Sequence, residues 1–285
     1  MKALSSQTIH GACNRVGILA WKSLLEEVYT TLKPGLVDCY SNGAHKDMNV
    51  ALFELSARVI YPYFSRMTYV GRVMEGSYEE VFKVVREWGV AAERAMFKGT
   101  KGVNTHKGLI FSMGIFCAAY GLCRKHHHQI NLDNLIQEQT ELVRTTLMKE
   151  IGDIVKLKRG LGARGEALSG YASLQKLGLP KLQQGIREGR NFNQVKIETL
   201  FSLMTQVEDA NVLSRTNPET LKEMQEIAIH FIENGGMGQD NAFLKLKRLD
   251  SYFIGKNISP GGCADLLALT IFINSLLGDD GHGIQ

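Results

Sequence analysis

Thr31 to Met48 reads TLKPGLVDCYSNGAHKDM, a polar stretch that separates two segments with helical periodicity. Pro34, Gly35 and Gly43 interrupt regular structure, and Asn42-Gly43 is a turn signal, so the stretch is predicted to be a loop. It gathers hydrogen-bond donors, acceptors and both charges on Lys33, Asp38, Asn42, His45, Lys46 and Asp47. Because functional residues concentrate on loops held by a rigid scaffold, this density favours an active-site loop over a solvated connection.

Outside this loop, apolar residues recur at helical spacing along nearly the whole chain. The spacing predicts helices over residues 5–29, 78–97, 131–152, 218–233 and 241–253, with others after Asp47, over 109–122, from 195 to 215 and after Ser259. Leu179-Pro180 is predicted to break regular structure. No run alternates as a strand would, and no repeat or linker divides the chain. The sequence therefore predicts an all-α fold, a single multi-helix domain over residues 1–285, with polar Gly-rich loops forming the active site.

Composition indicates an ordinary soluble protein, with 44% hydrophobic and 22% charged residues. The net charge of +4 is weak and the basic residues are scattered among acidic ones, so no nucleic-acid partner is expected. Five widely spaced cysteines without a Cys-x-x-Cys pair favour reduced thiols in a cytoplasmic protein. The N-terminus lacks the apolar core of a signal peptide, and the most apolar run, Leu109–Leu122, is too short to span a bilayer. No membrane partner is expected.

Three further polar loops precede apolar helices, at residues 98–108, 158–170 and 259–265. Thr105 is predicted to cap the helix after the first of these. Backbone N–H groups at helix N-termini attract anions, which favours phosphate binding. None of the loops matches a P-loop or a dinucleotide fingerprint, because both require a preceding strand. His126, His127 and His128 cannot face one point on a helix, so a metal site there is disfavoured.

The carboxylates of these loops each admit a structural reading beside a functional one. Asp47 would serve as a helix cap, and Asp265 would offset the dipole of the last helix. Asp38 has neither role, and Asp209 is predicted at the C-terminal end of a helix, where negative charge is unfavourable. His45 and His106 are typical loop hydrogen-bonding residues. Carboxylates, Lys and Arg residues and Gly-rich helix starts together indicate a polyphosphate substrate bridged by a divalent cation, and this reasoning stops at a nucleotide or phosphate-ester enzyme.

Five ordered motifs carry a resemblance to a known family. They are Lys33–Asp38 with Asn42–Met48, Gly102–Gly108, Gly162–Glu166, Asp209–Arg215 and Ser259–Leu267. With them, nearly the whole chain resembles the triphosphoribosyl-dephospho-coenzyme A synthase family. The chain departs from the family pattern at Ala210, where Thr is usual, at Cys39, where Arg is usual, and at Cys263, where Ser is usual. These departures put substrate affinity in doubt rather than activity.

The resemblance implies an enzyme that joins ATP to 3′-dephospho-CoA. The acceptor's ribose 2′-hydroxyl displaces adenine from C1′ of ATP, the triphosphate is kept, and Mg²⁺ clamps it as a cofactor. The product is the precursor of the prosthetic group of citrate lyase or malonate decarboxylase, and a nucleotidyltransferase loads it onto an acyl carrier protein. Homo-oligomerisation is left open. An α-linked product from a β-nucleotide implies a single displacement with inversion.

The resemblance also assigns roles to residues. Asp38 or Asp47 would take the proton of the 2′-hydroxyl, and His45 would protonate adenine or contact phosphate. Phosphates would be bound by Lys33, Lys107, Arg164 and Arg215. The riboses would be oriented by Asn104, His106 and Glu166, of which Glu166 is also a catalytic candidate. Further substrate-binding candidates are Gly35, Asn42, Asn211, Gly261 and Gly262. Asp209 and Asp265 would bind Mg²⁺ or stabilise the oxocarbenium-like transition state.

Two hypotheses from other classes remain open. One is an all-α hydrolase of ADP-ribosyl or nucleotide N-glycosidic bonds, with water in place of the ribose hydroxyl. The other is a non-catalytic helical protein that only binds coenzyme A derivatives. Adenine release that needs no acceptor would favour the first, and binding without adenine release would favour the second.

Overall fold

The predicted helical periodicity appears as helices in the computed structural model, which describes residues 6–127, 129–156 and 161–280. These residues contain α-helices and no β-strand, so the predicted all-α fold is confirmed. The helices are α1 (Ser6–Tyr29), α2 (Val50–Val73), α3 (Tyr78–Gly99), α4 (Lys107–His126), α5 (Leu132–Lys156), α6 (Gly162–Leu168), α7 (Leu179–Arg187), α8 (Phe192–Met204), α9 (Ala210–Arg215), α10 (Pro218–Glu233), α11 (Ala242–Gly255) and α12 (Gly261–Asp280). A π-helical turn, Leu174–Gly178, precedes α7, and a 3₁₀ turn, Gly236–Gly238, precedes α11.

Capping side chains explain where several helices begin. Ser77 and Glu80 form a reciprocal capping box at the start of α3. Asn191 caps α8 by accepting a hydrogen bond from a backbone N–H three residues on. Asn217 caps α10, and Pro218 occupies the first helical position, where its missing N–H would have no partner in any case. The predicted starts of α3 and α10 are confirmed.

The described residues group into two compact units, between which the chain alternates. The first unit contains the described residues up to Ser23, Leu55–Tyr171 and those from Phe272 onward. The second contains Leu24–Glu54 and Ala172–Ile271. The assignment of the chain to a single domain stays a prediction.

The first unit is built around α4, which packs against α3, α5 and α6. Most of its residues between Leu109 and Cys123 are buried, as the apolar run predicted. Helix α2 approaches α4 so closely that two glycines are required. A Cβ on Gly71 would lie 2.1 Å from the carbonyl oxygen of Ala118, and one on Gly121 would lie 2.3 Å from that of Thr68. Backbone therefore contacts backbone where these two helices meet.

The second unit is built around α8, which packs against α7 and α10. Nearly every residue of α8 from Val195 to Met204 is buried, including Lys196 and Glu198. The ring of Phe201 on α8 lies 4.1 Å from that of Phe231 on α10, measured between centroids. The unit also holds the loop between α1 and α2 and the start of α12.

Two predicted interruptions are wrong. Pro180 does not break the chain, because it lies in the first turn of α7, directly after the π-helical turn. Residues 162–168 of the predicted third polar loop form α6. A seven-residue helix carries too few apolar residues to show periodicity, and the glycines in its sequence favour a loop. Lys158 and Arg159 of that loop lie outside the described residues.

Helix α12 is the most apolar helix by composition. Its window Gly261–Gly278 has a mean hydropathy of 1.5, which by length and composition suffices to cross a membrane. Of that window, 61% is buried within the protein itself. Burial of this kind is typical of the core helix of a folded domain. No other helix of the described ranges passes the same test.

Candidate active site

The polar stretch between α1 and α2 is a loop, as predicted, and Asp38 folds it. The Asp38 carboxylate accepts hydrogen bonds from the backbone N–H groups of Lys33 at 2.7 Å, Tyr40 at 2.7 Å and Ser41 at 3.0 Å. Its side chain is buried. Burial raises the pKa of Asp38, while these hydrogen bonds and the charge of Lys33 act in the opposite direction. The residue thus has a structural role that the sequence did not reveal, and its role as base stays a prediction.

Two glycines of the loop are required by backbone geometry. Gly35 has a φ of +74°, and a Cβ there would lie 2.2 Å from the carbonyl oxygen of Ile258. Gly43 has a φ of +57°, and a Cβ there would lie 2.4 Å from the carbonyl carbon of Gly35. L-residues rarely adopt such φ values, and neither site has room for a side chain. The two glycines let the loop fold back on itself and pack against the chain before α12.

Hydrogen bonds join this loop to two other motifs. His45 Nε2 lies 2.8 Å from Ser259 Oγ, just before α12. Arg215, at the end of α9, donates to the carbonyl oxygen of Ala44 and to Oδ1 of Asn257, the latter at 2.6 Å. Three of the five motifs found in the sequence therefore meet in the second unit.

His45 is the half-buried histidine of this assembly. Burial lowers its pKa, and the nearby positive charge of Arg215 lowers it further, against a smaller opposing effect of Asp47. The imidazole is accordingly neutral at pH 7. A neutral imidazole can form a hydrogen bond to phosphate or to the adenine ring, whereas an ion pair with phosphate would need the protonated form.

Asp209 corrects a sequence-based expectation, because it begins a helix instead of ending one. It is the N-cap of α9: Oδ1 accepts from the backbone N–H groups of Asn211 at 2.9 Å and Val212 at 3.2 Å. Oδ2 accepts from the N–H of Cys263 at 2.8 Å. Helix α8 ends at Met204, so the apparent continuous helix is two helices. A carboxylate at a helix N-terminus is favourable, which removes the argument that its position demands a cation.

The start of α12 lies directly against α9. A Cβ on Gly261 would lie 2.6 Å from the side-chain nitrogen Nδ2 of Asn211, and one on Gly262 would lie 3.0 Å from Oδ2 of Asp209. Because these glycines allow close approach of the two segments, their presence has a packing reason. Their predicted contacts to substrate stay predictions.

Asp265 differs from Asp38 and Asp209, whose oxygens accept backbone hydrogen bonds. It lies in the first turn of α12, is partly exposed, and has no hydrogen-bond or ion-pair partner within the described residues. Desolvation raises its pKa well above the usual range, and the negative charges of Glu27 and Asp209 raise it further. Both of its oxygens remain available to a ligand.

Lys33 is paired inside the protein. Its ammonium group donates to the carbonyl oxygen of Glu27 at 2.7 Å and to the Glu27 carboxylate, and only 1% of its surface is exposed. Burial raises the pKa of Glu27, and Lys33 opposes that effect. Sequence reasoning missed Glu27, although it follows Leu24 and Ala20 on the apolar face of α1, where a charge is unexpected.

The Gly102–Gly108 motif lies in the first unit. Thr105 does not cap α4: its hydroxyl donates to Ser56 Oγ at 2.6 Å, and the capping position is His106, whose side chain makes no capping bond. His106 is buried, with Nδ1 2.7 Å from Ser56 Oγ. Asn104 accepts from the N–H of Lys107 at 3.1 Å. Ser56 of α2 therefore contacts both Thr105 and His106 of this loop.

Helix α6 carries Arg164 and Glu166, also in the first unit. Arg164 Nε lies 3.7 Å from Oε2 of Glu150, and its guanidinium carbon lies 5.7 Å from the ring centre of Phe111. Its side chain is nonetheless 47% exposed. Glu166 is half-buried. Exposure leaves Arg164 accessible to an anion, as its predicted phosphate contact requires.

Two of the three consecutive histidines contact the same carboxylate. Nδ1 of His126 and Nε2 of His127 each lie 2.9 Å from the same oxygen of Glu138, and Tyr78 donates to the other oxygen at 3.0 Å. His128 lies outside the described residues. No group of three or more His, Cys, Asp or Glu residues among those described is placed to hold a metal ion.

Comparisons with known proteins bear on the whole assembly. The model of the CitG family, described as ATP:dephospho-CoA triphosphoribosyl transferase, matches residues 13–283. The chain belongs to this family. The residues matched include all five motifs.

Curated relatives are named as synthases of 2-(5′′-triphosphoribosyl)-3′-dephosphocoenzyme-A. A probable 2-(5′′-triphosphoribosyl)-3′-dephosphocoenzyme-A synthase of Photobacterium profundum is 36% identical over 267 residues, which cover 90% of this chain and 85% of the relative. The synthase of Pectobacterium atrosepticum is 38% identical over 259 residues, covering 87% and 84%. That of Klebsiella pneumoniae is 33% identical over 287 residues, covering 96% and 93%. No solved structure matches.

The triphosphoribosyl transferase motifs thus divide between the two units. The second unit contains Lys33, Gly35, Asp38, Asn42, His45, Asp47, Asp209, Asn211, Arg215, Gly261, Gly262 and Asp265. The first contains Asn104, His106, Lys107, Arg164 and Glu166. Within the second unit, hydrogen bonds unite the loop of Asp38 with the segments of Asp209 and Asp265, although these are far apart in the chain. The order of the motifs along the chain did not show that hydrogen bonds join these three segments.

Proposed function

We propose that this protein transfers the 5-triphosphoribosyl group of ATP to the ribose 2′-hydroxyl of 3′-dephospho-CoA and releases adenine. The observation that carries the proposal is the assembly of the Asp38, Asp209 and Asp265 motifs around one loop in a member of the triphosphoribosyl transferase family. The product would be the precursor of the prosthetic group of the citrate lyase acyl carrier protein. A nucleotidyltransferase acting next would load it, and both steps belong in the cytoplasm.

The chemistry requires a few groups with defined tasks. The acceptor 2′-hydroxyl loses its proton to a base while its oxygen forms a bond to C1′ of ATP. The bond from C1′ to adenine breaks, and adenine leaves with the bonding electron pair and gains a proton. Positive charge develops on the ribose in the transition state, and a nearby carboxylate stabilises that charge more than it stabilises the ground state.

Asp265 fits the role of that carboxylate, or of the ligand of a cation, because both of its oxygens are free of protein partners in the described part of the chain. Asp38 and Asp47 remain the proposed bases, and they differ in setting. Asp38 is buried and accepts three backbone hydrogen bonds, whereas Asp47 is exposed at the end of the loop. His45, being neutral, would donate or accept a hydrogen bond at adenine or phosphate.

Mg²⁺ is a proposed cofactor whose fit depends on which carboxylate oxygens are available. In nucleotide sites this ion is held by one or two carboxylates together with the phosphates of the substrate. Both oxygens of Asp209 accept backbone hydrogen bonds, whereas those of Asp265 do not. Asp265 is therefore the better protein ligand, with Asp209 beside it. The ion would clamp the triphosphate and neutralise part of its charge.

The basic residues divide by exposure. Lys107 and Arg164 have side chains that are 56% and 47% exposed, so they can bind phosphate without breaking buried contacts. Lys33 and Arg215 are engaged with Glu27 and with Ala44 and Asn257. The proposed phosphate contact of Arg215 would use hydrogen-bonding capacity left over from those interactions. Lys33, of which 1% is exposed, would reach phosphate only by giving up its contact with Glu27.

Adenine release tests the proposal. The protein is incubated with ATP and Mg²⁺, with and without 3′-dephospho-CoA, and adenine is measured by chromatography. Release only with the acceptor, together with a new product that keeps the triphosphate, is expected. Release without the acceptor would indicate an N-glycosidic hydrolase, and binding of dephospho-CoA without any release would indicate a non-catalytic binding protein.

A further inference from the structure

Asp250, on α11, is a buried carboxylate that holds the loop of Asp38 from outside. Oδ1 accepts the backbone N–H of Gly35 at 2.9 Å, and Oδ2 accepts the hydroxyl of Ser41, also at 2.9 Å. The side chain is 4% exposed. Its two oxygens therefore contact the two limbs of the loop, one before and one after Asp38.

The same contacts continue into the loop. Ser41 Oγ accepts the N–H of Gly43 at 3.1 Å, and the N–H of Ala44 donates to the carbonyl oxygen of Gly35 at 3.0 Å. The Ser41 N–H binds the Asp38 carboxylate, and its carbonyl oxygen accepts the N–H of Asp38 at 2.9 Å. Ser41 consequently links the internal carboxylate of the loop to the external one.

Tyr40 of the loop also contacts α11. The ammonium nitrogen of Lys247 lies 5.0 Å from the ring centre of Tyr40, the residue that donates a backbone hydrogen bond to Asp38. Lys247 and Asp250 are three residues apart, so they lie on the same face of α11. Helix α11 thus contacts the loop at Gly35 and within the turn at residues 38–41.

We infer that Asp250 is a positioning residue for the transfer reaction: by holding Gly35 and Ser41 it sets the geometry of the loop that presents Asp38 and His45 to substrate. This inference rests on the proposed function, because it assumes that the loop contacts substrate. Misplacing reacting groups by about 1 Å costs about a hundredfold in rate, so loss of the two hydrogen bonds lowers kcat/KM even though Asp250 touches no substrate.

Asp250→Ala removes both hydrogen bonds, and Asp250→Asn keeps an oxygen for Gly35 while its amide donates to Ser41 Oγ. Phe231→Ala is the matched control, since it destabilises the second unit by disrupting the contact between α8 and α10. All are assayed well below their melting temperatures. We expect Asp250→Ala to lower kcat/KM at least about tenfold more than Phe231→Ala. We expect Asp250→Asn to keep at least a third of wild-type kcat/KM.

Hydrogen exchange over residues 33–45 supplies a readout that needs no activity. Asp250→Ala is expected to speed exchange there at least about tenfold more than Phe231→Ala does in the substrate-free protein. Ser41→Ala, which removes one of the two bonds, should give a smaller increase and serves if Asp250→Ala fails to fold. If the wild type releases no adenine, the proposed function fails while the exchange result still tests the bracing of the loop.

The inference is overturned if Asp250→Ala loses no more activity than Phe231→Ala, because the loss would then reflect general destabilisation. It is also overturned if Asp250→Asn is as impaired as Asp250→Ala, since charge rather than geometry would matter. Unchanged exchange over residues 33–45 in both Asp250→Ala and Ser41→Ala would overturn it as well.

Discussion

Asp265 shows at the scale of one residue how a site costs stability. Its carboxylate is crowded by protein atoms, faces the negative charges of Glu27 and Asp209, and has no partner among the described residues. A carboxyl whose folded-state pKa is raised above the unfolded value binds its proton more tightly in the folded protein. Folding stability therefore falls as pH rises from the unfolded-state pKa of Asp265 through its folded-state pKa, and Asp265 destabilises the fold at neutral pH. Such an arrangement is typical of a residue kept for chemistry.

Asp265→Asn separates the two effects. We expect the melting temperature at pH 7 to rise, because the substitution removes the repulsion, and adenine release to fall by about a hundredfold or more, because a charge aimed at the transition state is lost. The matched control is Asp47→Asn, which removes an exposed carboxylate and should leave the melting temperature unchanged. A variant that is both less stable and fully active would contradict this account of Asp265.

In Glu198, unlike Asp265, the interactions that lower the pKa outweigh the burial that raises it. Burial alone would raise its pKa, but hydrogen bonds from Arg190, Lys181 and the backbone N–H of Met237 outweigh it and lower the pKa to about 2. Since the folded-state pKa lies below the ordinary value of 4.5, the stabilisation is present above about pH 4.5 and is lost as pH falls towards 2. The side chain belongs to the core of the second unit and to no motif.

Glu198→Gln tests this balance. At pH 7 we expect the substitution to cost roughly 1.5–3 kcal/mol, because it weakens charge-assisted hydrogen bonds from Arg190 and Lys181, whose side chains are partly exposed. The difference from wild type should shrink as the pH is lowered below 4.5. Urea unfolding followed across that range measures it. Glu226→Gln, which alters an exposed pair with Lys222, should cost less than about 0.5 kcal/mol at either pH.

At the scale of elements, the periodicity of apolar residues predicted the long helices, but the short helices and the contacts between helices depend on packing. Spacing of apolar residues predicted α1, α2, α3, α4, α5, α10, α11 and α12, because each is long enough to show an apolar face. It missed α6 and α7 and ran α8 into α9, because short helices carry few apolar residues. Where α2 crosses α4, the decisive residues are Gly71 and Gly121, which contribute no apolar signal at all.

Gly71→Ala is expected to destabilise the first unit by roughly 1–3 kcal/mol, since its methyl group would lie 2.1 Å from the carbonyl oxygen of Ala118 and the helices would have to separate. Gly11→Ala is the matched control. It lies in α1 with nothing within 4 Å of the added Cβ, so it should be neutral or stabilise by about 0.5–1 kcal/mol. Midpoints of thermal unfolding measure both. Equal stability of the two variants would mean that α2 and α4 do not meet at Gly71.

At the scale of the whole molecule, the chain visits two units in alternation and places its motifs in both. Residues 33–48, 209–215 and 259–265 belong to the second unit, and residues 102–108 and 162–166 to the first. The net charge of +4 is small beside the charge of two polyphosphate substrates. We therefore expect local groups, together with the proposed Mg²⁺, to contribute more to substrate binding than long-range attraction does.

Binding of ATP should consequently depend on Mg²⁺. With both present and ATP at about 100 times its Kd, we expect the stability of the protein to rise by about 2.7 kcal/mol and its melting temperature by several degrees. EDTA should remove most of that shift and stop adenine release, and added Mg²⁺ should restore both. An ATP-induced shift of the same size in EDTA would count against the cation as a clamp of the triphosphate.

The sequence by itself determined the all-α fold, most of the helices, the polar loop and the motifs that identify the family. These features depend on local periodicity, turn-forming residues and the order of side chains, all of which are readable along the chain. Only the tertiary structure decided that Asp38 and Asp209 bind backbone N–H groups, that Lys33 pairs with Glu27, and that Asp250 holds the loop. It also left the Asp265 carboxylate without a hydrogen-bond or ion-pair partner among the described residues. Hydrogen-bond partners distant in sequence are set by packing, and no local pattern encodes which buried donor a carboxylate will meet.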